Sequence, residues 1–209
     1  MRTKQEIAGF IRSLGIDARL YRRLESFHLT LTAYGNHEKI TDFGLVLGYG
    51  GAFSYKRSGI VVVGESEVGK SPLAEKFNEK GLSDILANNE LLIFDPDNNG
   101  QPKVYRDLFM EPLNLMHFTG EEIIGTYAAH LANNTGIPLM AILHLTDSSK
   151  AGFVEPDIDA LLHYLSGEGR KANGTLHIPQ KGDIPPILQG VKLLEYAKDL
   201  HGDLLNQLK

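Results

Sequence analysis

Residues 58–77, SGIVVVGESEVGKSPLAEKF, constrain this chain more than any other stretch. Ile60 to Val63 is an unbroken run of β-branched residues, which suits a short strand buried on both faces of a parallel sheet. The run ends in Gly64-Glu65-Ser66-Glu67-Val68-Gly69-Lys70-Ser71, an uninterrupted match to the G-x-x-x-x-G-K-[ST] pattern. Two glycines let the backbone turn tightly enough for successive N–H groups to point inward at phosphate oxygens. Lys70 then reaches the β- and γ-phosphates, and the Ser71 hydroxyl takes one position on Mg²⁺. A helix starting at the end of the loop adds partial positive charge beneath the phosphates. Pro72 falls in its first turn, where a missing N–H costs least, and Leu73 and Phe77 give it an apolar face one turn apart. The segment therefore predicts an α/β fold, a P-loop nucleotide-binding domain with a mixed central β-sheet flanked by helices. The expected ligands are a nucleoside triphosphate, ATP, and Mg²⁺, held by residues 64–71.

A chain of 209 residues is long enough for one domain with a full core, and no repeat, low-complexity tract or linker divides it. The expectation is a single domain over 1–209, with an N-terminal helix and strand in 1–45 and the nucleotide-binding core in 46–209. A formal charge of −5 gives no basic field for nucleic acid. The absence of cysteine excludes disulfides and thiolate metal sites, and no apolar run reaches membrane-spanning length. These features predict a cytoplasmic protein with neither a nucleic-acid nor a membrane partner. The eight histidines never fall at metal-ligand spacing, and no Gly-x-Ser-x-Gly elbow for an acyl hydrolase is present.

Elsewhere the pattern predicts the following elements. Thr3 and Glu6 form a capping box ahead of Ile7, Phe10, Ile11 and Leu14, a short helix stopped by Gly15. Arg19, Arg22 and Arg23 read as a solvated basic cluster. Phe27 to Tyr34 alternates as a half-buried strand, and Phe43 to Leu47 suits another. The glycines at 48, 50 and 51 read as bends, and Gly81 as the cap closing the loop's helix. Leu91 to Phe94 is a strand. Asp95 after it has the form of a second magnesium-binding element, yet Asp95-Pro96-Asp97-Asn98-Asn99-Gly100 is also a good turn sequence, so metal ligand and turn residue both stand. Further strands are expected at Leu113–Phe118, Leu139–Leu145 and Thr175–Ile178. Helices are expected after Thr119, after Pro156-Asp157, and from Ile187 to Leu208, with a polar loop over 167–174.

The loop and its surroundings resemble the C-terminal catalytic domain of the HPr kinase/phosphorylase family, bacterial serine kinases with a phosphoenolpyruvate-carboxykinase-like fold. The likeness rests on residues 64–71, on Gly81 closing the next helix, and on Ala87-Asn88-Asn89 where the family has Ala-Asp-Asp. Tyr49-Gly50 stands where the family has His-Gly before a β-hairpin, and Gly59 leads into the central strand. Ile178-Pro179 with Lys181-Gly182 is similar to the family's late turn, which precedes a closing helix. The resemblance implies an ATP- and Mg²⁺-dependent phosphotransferase with a protein phosphate acceptor, assembled as a homo-oligomer.

The departures bear on the chemistry. Tyr49 replaces the family's catalytic histidine, and Asn88 and Asn89 replace its aspartates. Asparagine cannot act as a general base at neutral pH. The base then has to come from Glu90, Asp84 or Asp95. The expected catalytic set is Lys70, Asn89, Glu90 and Tyr49, with Ser71 and Asp95 on the metal. Glu65 and Glu67 should weaken nucleotide binding unless they point outward or join the metal shell. Two rival readings follow, a nucleotide-binding sensor or regulatory protein without transfer and a small-molecule kinase relying on Arg106 or Arg170-Lys171 as a lid.

Overall fold

A computed structural model describes residues 1–13, 17–23, 26–32, 45–65, 68–81, 83–87, 90–97, 99–106, 120–133, 135–146, 153–154, 156–165, 184 and 186–197. The described helices are α1 (Lys4–Ser13), α2 (Lys70–Glu79), α3 (Gly120–Ala132) and α4 (Ile158–Leu165). The strands run in chain order as β1 (Asp17–Arg23), β2 (Ser26–Thr32), β3 (Leu45–Tyr49), β4 (Gly51–Tyr55), β5 (Ser58–Gly64) and β6 (Ser83–Ala87). They continue as β7 (Glu90–Phe94), β8 (Lys103–Tyr105), β9 (Ile137–Thr146), β10 (Phe153–Val154) and β11 (Lys192–Ala197).

The first strands, β1 and β2, pair antiparallel as a separate ribbon. The other nine form one mixed sheet along the path β3-β7-β8-β9-β5-β4-β6, with β11 on β9 and β10 on β11. At its centre β5, β9 and β11 are parallel, whereas the remaining pairs are antiparallel. On one edge β9 serves two partners: β8 at Ile137 and Pro138, then β11 from Ala141 onward. The sheet divides there and curls, so that the β3-β7-β8 part lies over the face of the β4-β5-β6-β9 part.

Alternation along β5 and β9 builds a core on each face. Ile60, Val62, Ala141, Leu143 and Leu145 meet Leu73, Ala74 and Phe77 of α2, with the Phe77 ring 5.2 Å from that of Phe53. Val61, Val63 and Ile142 face the other way, toward Leu91, Ile93 and Val104 of the curled part and Leu161, Leu162 and Leu165 of α4. A strand covered on both faces is the environment that the unbroken β-branched run 60–63 requires.

The N-terminal capping box is formed. The Glu6 carboxylate accepts the Thr3 amide at 2.7 Å and its hydroxyl at 2.8 Å, while the Glu6 amide donates to Thr3 Oγ1 at 3.3 Å. These bonds hold the Glu6 carboxyl below its ordinary range. Helix α1 lies against α3, and Arg12 spans them with a forked ion pair to Glu121 at 2.7 and 2.9 Å.

One expectation gives way. The helix expected over Ile187–Leu208 is, over its described part, a 3₁₀ turn at Pro186–Leu188 followed by strand β11, while 198–208 lie outside the described residues. Its apolar residues do repeat at helical intervals, but β9 offers an open parallel edge that a six-residue strand satisfies with tertiary hydrogen bonds. Tyr196 is fully buried on the α2 face and Leu193 packs on the opposite one, as a central strand demands. The basic cluster at Arg19, Arg22 and Arg23 lies in strand β1. The strands expected at 113–118 and 175–178 and the loop at 167–174 lie outside the described residues, as does Thr119. No described helix is long and apolar enough to cross a membrane.

Candidate functional site

The loop leaves β5 at Gly64 and enters α2 at Lys70. Gly64 has φ +144° and Gly69 φ +104°, both in the region that favours glycine, so both motif glycines are used for conformation. Gly69 is the N-cap of α2 and has no side chain to close its first turn, while its carbonyl accepts the Leu73 amide at 3.0 Å. Val68 turns inward and is buried with Leu73 and Leu145, which anchors the loop's descending half to the core. Lys70 bends back over the loop. Its ammonium donates to the Gly64 carbonyl at 2.9 Å and to the Glu65 carbonyl. A half-buried cation is thereby fixed at the mouth of the βα turn, and Ser71 follows it in the first helical turn. Backbone amides, one ammonium and one hydroxyl at a helix N-terminus form a donor set that suits polyphosphate with a hard divalent ion. Ser66 and Glu67 lie outside the described residues.

Glu65 is turned out of this arrangement. Its Oε1 accepts the Tyr164 hydroxyl of α4 at 3.0 Å, on the face of the sheet opposite α2. Beneath Tyr164 lies the His144 ring, 5.1 Å away and tilted by 31°. His144 is buried on β9, flanked by Val63 of β5 and Glu195 of β11. Burial lowers its pKa, and the nearby Glu195 carboxylate, 3.5 Å from Nδ1, opposes that shift. Burial and Glu65 together raise the pKa of Tyr164. Neither His144 nor Tyr164 was singled out by the sequence, where each is an isolated residue; only the β9 register and the position of α4 bring them to the loop.

The other expected site residues separate into two groups. Tyr49 and Glu90 are cross-strand partners at the junction of β3 and β7. That junction adjoins the loop end of β5, since Gly51 pairs with Val62, and a Cβ on Gly50 would meet both the Val62 carbonyl and Leu91. Asn88 and Asn89, between β6 and β7, lie outside the described residues.

Asp95 is not with them. It follows Phe94, which pairs with Lys103, and Lys103 pairs with Pro138 at the start of β9. The loop springs from Gly64, opposite Leu145 near the other end of β9. At about 3.3 Å per residue the two ends are on the order of 20 Å apart. Both oxygens of Asp95 are occupied in its own turn, accepting the amides of Asp97 at 3.2 Å and Gly100 at 2.7 Å. Asp95 therefore stands in a turn of its own away from Ser71, buried where it serves backbone donors, which favours the turn reading of the two. Among the described residues no group of three or more His, Asp or Glu side chains forms a metal cage. Asp95→Asn is expected to lower stability by about 1–2 kcal/mol, through loss of charge-assisted bonds, while the magnesium dependence of nucleotide binding stays unchanged. Denaturant unfolding beside titrations with and without Mg²⁺ checks both halves. Loss of magnesium dependence would return Asp95 to the metal.

A cleft of about 540 Å³ opens at the opposite end of β5, lined by Ser54, Lys56, Arg57, Asn78, Ser83 and Asp84 among others. It mixes two cations with a carboxylate and the C-terminal end of α2, so it favours no ligand charge.

No family model and no curated protein sequence matches the chain. Among solved structures it is similar to the HPr(Ser) kinase/phosphatase from Coxiella burnetii, at 12% identity over 78% of this chain and 91% of that one, with a TM-score of 0.40.

Proposed function

We propose that the chain binds ATP with Mg²⁺ in the loop 64–71 and transfers the terminal phosphate to an acceptor hydroxyl, as an HPr-kinase-like phosphotransferase. The observation that carries this reading is the Lys70 ammonium, drawn back over the loop onto the Gly64 and Glu65 carbonyls at the N-terminus of α2. In this reading the loop amides orient the phosphates and Lys70 leaves its carbonyl partners to neutralise charge on the transferring group. Ser71 holds the metal, which when bound shields the phosphate oxygens from one another. Tyr49 and Glu90, paired beside the loop end of β5, flank the acceptor, with Glu90 in the role of base and Asn89 as a neutral neighbour. The acceptor class is a protein hydroxyl, and the working form is a homo-oligomer in the cytoplasm.

A second reading, a nucleotide-binding regulatory protein without transfer, is favoured by the distance of Asp95 from the loop and by asparagine at both 88 and 89. It keeps the loop and drops the base. Calorimetric titration with Mg-ATP, followed by phosphate release over hours, tests the pair. Saturable binding with turnover supports transfer, saturable binding without turnover supports the regulatory reading, and no binding refutes both.

A further inference from the structure

A carboxylate at the second position of a phosphate-binding loop presents a charge problem. Glu65 adjoins the glycine from which the loop starts, and its own carbonyl accepts the Lys70 ammonium. A free Glu65 side chain would sample positions over the loop and repel a polyphosphate. Here its Oε1 instead accepts the Tyr164 hydroxyl at 3.0 Å, from a residue 99 positions away. We propose that Tyr164 is a positioning residue of the phosphate loop, whose hydroxyl holds the Glu65 carboxylate toward α4 and away from the N-terminus of α2. The proposal rests on the phosphate-loop reading and adds to it a residue that touches neither nucleotide nor metal.

Tyr164 is itself fixed by what surrounds it. Leu161, Leu162 and Leu165 are buried and pin α4 to the sheet face carrying Val61, Val63 and Ile142. The Tyr164 ring rests on His144 at 5.1 Å and meets the edge of His163 at 5.3 Å. His144 is in turn set by its place on β9, between β5 and β11, with Glu195 at 3.5 Å from Nδ1. Glu195 Oε2 also accepts the amide of Asp157 at 3.2 Å, and Asp157 Oδ1 accepts the Ala160 amide in the first turn of α4. The hydroxyl is thus presented to the loop by a helix bonded to the same strand, β11, that supports the histidine beneath it. Helix α2 lies on the other face, so a carboxylate drawn toward α4 is drawn away from the helix whose N-terminus faces the phosphates.

The test is a double-mutant cycle on nucleotide affinity, with Mg-ATP as the titrant and the intact chain throughout. Tyr164→Phe keeps the ring and its packing and removes only the hydroxyl. It is expected to weaken Mg-ATP binding on the order of three- to tenfold, and the penalty should shrink as salt is raised. Glu65→Gln removes the charge, and in that background Tyr164→Phe should change affinity less than twofold. A purely structural tyrosine would give the same penalty in both backgrounds. If the wild type binds Mg-ATP and Tyr164→Phe binds equally well, or if the penalty persists with Glu65→Gln, the positioning role is overturned while the loop reading stands. A wild type that binds no triphosphate overturns the loop reading, and the role of Tyr164 with it.

Discussion

Lys70→Ala is expected to remove triphosphate binding, weakening it by at least a hundredfold while the chain stays folded. The ammonium donates to the carbonyls of Gly64 and Glu65, and no other cationic side chain lies within the motif. Nucleotide binding asks it to exchange neutral carbonyl acceptors for charged phosphate oxygens. Charge-assisted bonds are roughly twice as strong as neutral ones, so the exchange is favourable and Lys70 supplies much of the affinity. Alanine leaves two carbonyls at a partly exposed turn, where water satisfies them, and the folding cost should stay near 1 kcal/mol. Thermal unfolding with and without Mg-ATP reads the difference. At a hundred times its Kd a ligand stabilises a protein by about 2.7 kcal/mol, a shift of several degrees that the variant should lose. Lys70→Arg should recover only part of it, because a planar fork cannot occupy the point position of an ammonium. Equal stabilisation of wild type and Lys70→Ala would sink the loop reading.

The parts of the fold that could be read from the sequence are those decided within about ten residues. Strand β5, the loop and α2 carry their own instructions: a β-branched run, two glycines at turning points, a lysine, and an apolar pair one turn apart. The capping box of α1 and the apolar runs of β7 and β9 are equally local. Two other features have another cause. Strand β11 lies in a stretch where Val191, Leu194 and Ala197 recur at helical spacing, and it becomes a strand because β9 has an edge to fill. Asp95 follows four apolar residues as a magnesium ligand should, and only the register through β8 and β9 shows that it ends far from the loop. In each case a pairing partner distant in sequence decides. The Glu65–Tyr164 hydrogen bond is of the same kind. The sequence posed the question, two acidic residues in a phosphate loop, and the answer for Glu65 lies in a helix that no spacing rule connects to it.

Gly64→Ala should be the most damaging small substitution at this site, costing about 3 kcal/mol of stability and disabling the loop. Two effects act together. The backbone at φ +144° is one that an L-residue rarely adopts. A Cβ there would also lie 2.6 Å from the Leu145 carbonyl oxygen and 3.1 Å from a Val68 methyl. The carbonyl belongs to β9, which pairs with β5 on one side and β11 on the other, so it cannot retreat. Relief has to come from the loop, by withdrawing the Gly64 peptide and with it a carbonyl that holds Lys70. Triphosphate affinity should then fall with stability, by tenfold or more. Gly81→Ala separates the two causes. Gly81 also has a positive φ, +65°, and closes α2 through its amide to the Asn78 carbonyl at 2.8 Å, yet a Cβ there meets nothing within 4 Å. It should cost about 1 kcal/mol and leave nucleotide affinity untouched. Denaturant unfolding of the two variants, with Mg-ATP titrations beside it, measures the contrast. If Gly64→Ala costs no more than Gly81→Ala and still binds nucleotide, the close approach of β9 does not shape the loop, and the geometry argued for the site is wrong at its first residue.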